Sequence, residues 1–461
     1  MHLTRSFRLL PALTVGLLLA GCYSRSDMKG EKATAPAAST ETAAPDENAT
    51  TPAPTADATN NSAPATAAAG PLAQVNVFLE VSGSMEGFMP KTGADAANTR
   101  FQQHVAQFLS EVNRSSAARK TYFRIKEKPY RDSYQQLSQT VRSGIQQPAS
   151  STDIPTVLDT LVSGYYATNT VSVLISDFIY SPKNAGAIPY ISTDITDALN
   201  RTQRPDLAIS VYGYTSDFRG AYYPALNTGV RKISACCDTP IPYYFWVIGP
   251  ADAVRRFDAA LLERQPGQQA HFGVKYPTPA SSLLSRFQNV GAWYYGEKDA
   301  SKRAAGASYH TVAVSSISAK EPVEFVVGMD LKTLPALYRD LNYLKTSLNI
   351  QAQDTDAKIV SVFAANEQTK NSSGEESKYT HFVKVHVTKL GKAARPLQLV
   401  LRNQRPAWVA QWTTKNDSNI NQTGTKTFAL SSLMDGVQAV TATEQTPTPV
   451  FIIPLTLQPA D

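Results

Sequence analysis

Residues 75–85 read VNVFLEVSGSM. Val75, Val77, Phe78, Leu79 and Val81 make a nearly unbroken apolar run, as does a strand buried on both faces of a parallel sheet. The run then breaks into Ser82, Gly83 and Ser84, a small polar turn that strand chemistry does not require. Glu80, Ser82 and Ser84 alternate with Val81 and Gly83, so their oxygens gather at the carboxyl end of the strand. Ligands of open α/β sheets bind at that end.

The chain on either side has a matching grammar. Phe101, Val105, Phe108, Leu109 and Val112 fall at helical spacing and predict an amphipathic helix. Residues 121–125 predict a strand, 134–145 a helix and 148–152 a loop. Ile154, Val157, Leu158, Leu161 and Val162 share one helical face. Residues 171–175 form a second buried-type strand that runs into Ser176 and Asp177. A helix over 195–199, strands over 207–214 and 243–248, and a helix carrying Val254, Phe257 and Leu261 complete the series. Strands alternating with helices, each strand apolar throughout, predict an α/β, Rossmann-like domain over residues 71–265, a parallel sheet wrapped by helices. After a connector, 266–305, strand-like runs separated by polar turns cover 308–315, 323–327, 358–363, 381–387, 397–401 and 450–457. Helices over 334–344 and 428–437 interrupt them. This predicts a β-rich, sandwich-like region over residues 306–461.

The N-terminus carries an address. Arg5 and Arg8 precede an apolar run, residues 9–19, that is too short for a comfortable membrane span and ends in Leu19-Ala20-Gly21-Cys22. This is the layout of a secretory signal peptide over residues 1–21. The ending resembles a bacterial lipobox, which implies cleavage before Cys22 and lipidation of its sulfur. Tyr23 stands where the inner-membrane retention signal has Asp, so outer-membrane attachment by the lipid alone is expected. Residues 29–71 contain no Val, Ile, Leu, Met or aromatic side chain. Such a stretch cannot offset the entropy of ordering, so residues 22–70 are expected to form a disordered tether. Without Arg5 and Arg8, 42 basic residues face 38 acidic ones, with no dense basic block, which argues against nucleic acid. Apart from Cys22, the cysteines are the adjacent Cys236 and Cys237, which either bond to each other or stay as thiols.

Glu80-Val81-Ser82-Gly83-Ser84 resembles the D-x-S-x-S motif that opens the metal-ion-dependent adhesion site of von Willebrand factor A domains. Two further matches follow in the family's order. Ser151-Thr152-Asp153-Ile154 opens a helix as the family's threonine loop does, and Asp177 ends a buried strand where the family has its second acid. The resemblance implies a divalent cation, Mg2+ or alternatively Mn2+ or Ca2+. Ser82 and Ser84 would be direct ligands, Thr152 a direct or water-bridged one, and Glu80 and Asp177 outer carboxylates holding waters. It also implies a protein partner that offers a carboxylate to the open coordination position. Magnesium's preference for hard oxygens and retained waters is consistent with that set. Asp217, Arg219, Tyr222 and Tyr223 follow the strand at 207–214, and with Asp153 they are expected on the partner-binding rim.

The family has Asp where this chain has Glu80. The extra methylene would bring the carboxylate onto the metal, displace the ion or close the open position. A metal-free scaffold that binds through its β-rich half is therefore the alternative. A metal-dependent hydrolase using Glu80, Asp153 and Asp177 is a third reading, weakened by the lack of an evident general base. There is no P-loop, no Gly-x-Gly-x-x-Gly and no Gly-x-Ser-x-Gly elbow. His381 and His386, five apart in a strand, should point to opposite faces. Tyr243, Tyr244, Phe245 and Trp246 are expected in the core, as are Trp408 and Trp412.

Overall fold

The computed structural model describes residues 70–91, 97–150, 152–181, 185–200, 202–225, 232–237, 239–265, 267–285, 287, 290–296, 308–442 and 448–460. The expected signal peptide and tether before Gly70, with Cys22, and Ser151 lie outside the described residues.

The α/β body is built from β1 (Gln74–Glu80), α1 (Arg100–Arg114), β2 (Arg119–Ile125), β3 (Pro129–Asp132), α2 (Tyr134–Ser143), α3 (Ile154–Gly164), β4 (Thr170–Ser176), α4 (Ile191–Asn200) and β5 (Leu207–Ser216). The hairpin β6 (Gly220–Tyr222) and β7 (Ile233–Cys236) follows, then β8 (Ile241–Pro250), α5 (Ala251–Phe257) and β9 (Gln268–Phe272). The Cys236–Cys237 peptide is cis, which places the two sulfurs side by side. The main sheet runs β3-β2-β1-β4-β8-β5-β9. Strand β1 is parallel to β2 and β4, while β3, β8 and β9 are antiparallel to their neighbours.

The sheet is therefore mixed, where the sequence pattern predicted a parallel one. The physical reason lies in what apolarity reports. All ten residues of β8 are buried, because helices cover both faces of the sheet. One layer packs Val77 and Leu79 with Phe101, Val105, Leu137 and Val254. The other packs Phe78 and Trp246 with Leu158, Ile195, Leu433 and Val437. An unbroken apolar strand signals burial on two faces and is silent about direction. Polar residues inside the strands pair with one another. Asn76 of β1 accepts from Thr121 of β2 (2.5 Å) and donates to Ser172 of β4 (3.2 Å).

The β-rich part contains β10 (Ser281–Leu284), β11 (Trp293–Tyr295), β12 (Thr311–Val314), β13 (Val323–Met329), α6 (Ala336–Arg339), α7 (Leu341–Ser347), β14 (Leu348–Ala352), β15 (Asp356–Ala364), α8 (Glu367–Lys370), β16 (His381–Lys389) and β17 (Arg395–Arg402). Strand β20 (Pro449–Pro459) joins it after α9 (Ala407–Gln411), β18 (Thr413–Thr414), α10 (Ile420–Thr423), β19 (Thr427–Phe428) and α11 (Leu430–Thr441). Two sheets, β10-β13-β16-β15 and β11-β12-β20-β17-β14, share one apolar core through Phe325, Val385, Leu399 and Ile453.

Two features depart from a simple succession of halves. Strand β9, beyond Gln265, completes the first sheet. After β17 the chain also returns to the α/β body. Trp408, Phe428, Leu433 and Val437 are buried against Ile195 and Trp246, so the two tryptophans near 410 serve the α/β core. Helix α11 packs on α4 so closely that a β-carbon on Gly436 would lie 2.6 Å from both Ile195 Cβ and the Ser192 carbonyl oxygen. Gly436→Ala should therefore destabilise the protein by about 1–3 kcal/mol through overpacking. Chemical denaturation of the variant checks this, and an unchanged midpoint would count against the α4–α11 contact.

Candidate functional site

Three chain ends meet at the carboxyl edge of β1 and β4. Past Glu80, the Val81 amide donates to the Ile125 carbonyl (3.0 Å), the Ala149 amide to the Val81 carbonyl (2.9 Å), and the Gly83 amide to the Ala149 carbonyl (3.0 Å). These bonds bring the loop before α3, with Thr152, alongside Ser82. A one-turn helix then carries Ser84, and the hydroxyls of Ser82 and Ser84 are 2.9 Å apart. On the neighbouring strand, β4 ends in a turn made by its own side chains. The Phe178 amide donates to Ser176 Oγ (2.8 Å) and the Ile179 amide to Asp177 Oδ1 (3.0 Å). Phe178 has a φ of +52° and stacks on Trp246, with centroids 4.1 Å apart.

The result is a cavity of about 510 Å3 lined by Glu80, Ser82, Ser84, Thr152, Asp153 and Tyr223 among others. Glu80 and Asp177 are 3% and 2% exposed. Ser176 Oγ donates to Glu80 Oε2. Burial, and then repulsion from Glu80, raises the Asp177 carboxyl to about 7, an effect only partly offset by the nearby Ser84 hydroxyl and the Ile179 amide. Asp177 Oδ2 and Thr152 Oγ1 are buried without a hydrogen-bond partner among the described residues. Orphaned hard oxygens beside two buried carboxylates are the donor type a small divalent cation takes.

The structure thus brings Glu80, Ser82, Ser84, Thr152 and Asp177 together. The rim residues divide. Tyr223 borders the cavity and is exposed. Asp153 borders it as well, but its carboxylate caps α3 by accepting from the Thr156 amide (3.3 Å) and hydroxyl. Tyr222 is not on a rim. It is 1% exposed, and its hydroxyl donates to Asp417 (3.0 Å), because the returning chain covers it. Asp217 and Arg219 do not line the cavity. Asp217 accepts from the Arg100 amide (2.8 Å) at the start of α1 and pairs with Arg219 (3.1 Å). Among the described residues no three His, Cys, Asp or Glu converge as metal ligands, so Glu80, Asp153 and Asp177 do not form a three-carboxylate centre. His381 and His386 are likewise apart. One bonds the Arg339 carbonyl (2.9 Å), the other Glu324 (2.9 Å). The sequence reading missed Ser176 as the partner of Glu80, and it missed Glu86 and Ser181 in the cavity wall. For Ser176 the signal was present, since a serine directly before Asp177 ends the strand beside β1. Compared with known proteins, the chain matches no family model, no curated protein and no solved structure.

The Asp177 shift has a definite sign. A carboxyl whose value is raised on folding favours the folded state in its protonated form. That contribution is complete below the unfolded value near 4 and is lost as the pH rises through about 7. In cation-free buffer, the stability of the wild type relative to Asp177→Asn should fall between about pH 4 and 7. Denaturant midpoints measured across that range check it, and a flat difference would rule out the buried-pair account.

Proposed function

We propose that the chain is a lipid-anchored cell-envelope protein of the von Willebrand factor A type, which binds a protein partner with the help of a divalent cation. The carrying observation is a pair of orphaned, buried oxygens: Thr152 Oγ1, whose residue lines the cavity with Ser82, Ser84 and Glu80, and Asp177 Oδ2 close by at the end of β4. The strand order supports the same reading. The hydroxyl turn follows β1, the threonine loop leads into α3, and the acid ends β4, which adjoins β1.

In this reading Ser82, Ser84 and Thr152 present neutral oxygens, and the carboxylates of Glu80 and Asp177 balance the charge. A bound Mg2+ or Mn2+ supplies an electrophile for a partner carboxylate. Tyr223 and Asp153 flank the opening and would meet the partner. The lipid on Cys22 would localise the protein, and residues 22–70 would let the body reach a partner away from the membrane, outside any catalytic role.

One observation favours a second reading, a metal-free scaffold. Ser176 already donates to Glu80, so that carboxylate is partly satisfied without an ion. Thermal unfolding of the full chain separates the two. A cation that binds only the folded state stabilises it, by about 2.7 kcal/mol at a hundredfold excess over Kd, and so raises the melting temperature with concentration. Millimolar Mg2+ or Mn2+ should stabilise the wild type and leave Ser84→Ala and Asp177→Ala unmoved. The effect should weaken below about pH 7, where protons compete for Asp177. No shift with either metal would leave the scaffold reading.

A further inference from the structure

We propose that the cleft where the α/β body meets the β-rich body binds a neutral oligosaccharide, independently of the cation site. The cleft encloses about 590 Å3 between β9, the α6–α7 segment and the start of α9. That is the size of ordinary small-molecule sites, which favour such junctions.

Its chemistry is unusual for having little charge on offer. Gln268, Asn342, Gln404 and Gln411 line it with exposed side-chain amides. The amides of Gln268, Asn342 and Gln411 hold no hydrogen bond among the described residues. Each of the two charged side chains in the lining has partners within the protein, although the buried Arg405 Nε has none among the described residues. Asp340 Oδ1 accepts from the Tyr343 amide (2.8 Å) as the cap of α7, and the Arg405 guanidinium donates to Asp435 and to Gln438 (2.9 Å). A carboxamide offers both donors and an acceptor, which matches a sugar hydroxyl that is itself both. Ala336, Leu337 and Ala407 supply the accessible apolar part of the lining, with Trp408 and Pro406 buried behind it.

The geometry disfavours an extended peptide. Strand β9 is the edge of the seven-stranded sheet and borders the cleft, yet its free carbonyls are already occupied. The Gln269 carbonyl accepts from Trp408 Nε1 (2.8 Å) and the His271 carbonyl from Asn403 Nδ2 (2.7 Å). No strand can add there by main-chain pairing. The walls are also tied together. The Leu337 amide donates to Gln269 Oε1 (3.1 Å) and the Gln404 amide to the Tyr343 hydroxyl (2.9 Å), so less ordering is required on binding.

Calorimetric titration of the full chain with millimolar cellotetraose, maltotetraose and chitotetraose tests this. At least one should bind saturably, with EDTA making no difference, and the double variant Gln268→Ala/Gln411→Ala should weaken it about tenfold or more. Both positions are exposed, so the denaturation midpoint should not change and serves as the folding control. Absence of binding by all three sugars overturns the proposal, as does binding that the variant leaves intact. Binding of a neutral Gly-Ser peptide in their place, lost in the variant, also overturns it and assigns the cleft to peptide.

Discussion

Two carboxylates are buried where adjacent parallel strands end, and the architecture around them is a response to that constraint. An ionised carboxylate in a low-dielectric setting demands hydrogen bonds, a proton or a cation. Glu80 takes a hydroxyl from Ser176. Asp177 takes the Ile179 amide on one oxygen and leaves the other without a partner among the described residues. The turn after β4, the left-handed Phe178 and the closely spaced Ser82 and Ser84 hydroxyls all follow from holding polar atoms at this edge. A strand end built only to reverse the chain would need none of them. On the proposed reading, the site would stand between a protonated and a cation-bound state, and the choice between them would connect its acid–base chemistry with its binding.

Much of this was legible in the sequence because the signals are local. The apolar stripe of α1, the continuous apolarity of β1 and β4, and the hydroxyls after β1 each reflect a physical requirement on neighbouring residues. Direction was not legible. Strand β8 sits antiparallel between β4 and β5, yet its residues look like those of a parallel strand, since burial on two faces makes one demand whatever the direction. Tyr222 misled for a related reason. Its place after β5 suggested a rim, but Asp417, 195 residues later, covers it. No local pattern reports a cover that arrives from so far along the chain. Strand β9 was missed because Gln268, Gln269 and His271 interrupt its apolarity, and two of these bond to the β-rich part or to a buried cluster.

That cluster shows how the two bodies are joined. Ser210 Oγ donates to Asp258 (2.5 Å) and contacts His271 Nδ1 (2.8 Å), with all three residues buried. Burial holds the Asp258 carboxyl well above the usual carboxylate range and lowers the His271 imidazole to about 3. The His271 carbonyl in turn accepts from Asn403, whose Oδ1 accepts from the Tyr338 hydroxyl (3.0 Å). The contact between the bodies thus joins this chain of hydrogen bonds to Glu263, which accepts from the Ala336 amide (2.9 Å) and lies 3.9 Å from Arg339.

The return of residues 407–441 to the first sheet also fixes an order of events during synthesis. Ile195, Trp246 and Phe428 belong to one apolar cluster, and Thr196 Oγ1 bonds to the Gly436 carbonyl (3.4 Å) across 240 positions. A nascent chain that has emerged only as far as β9 leaves part of one face of its main sheet, beside α4, without the cover of Phe428, Leu433 and Val437 until the β-rich part has followed. Contacts of such sequence separation form late and slowly, and the apolar surface awaiting them is open to aggregation in the meantime.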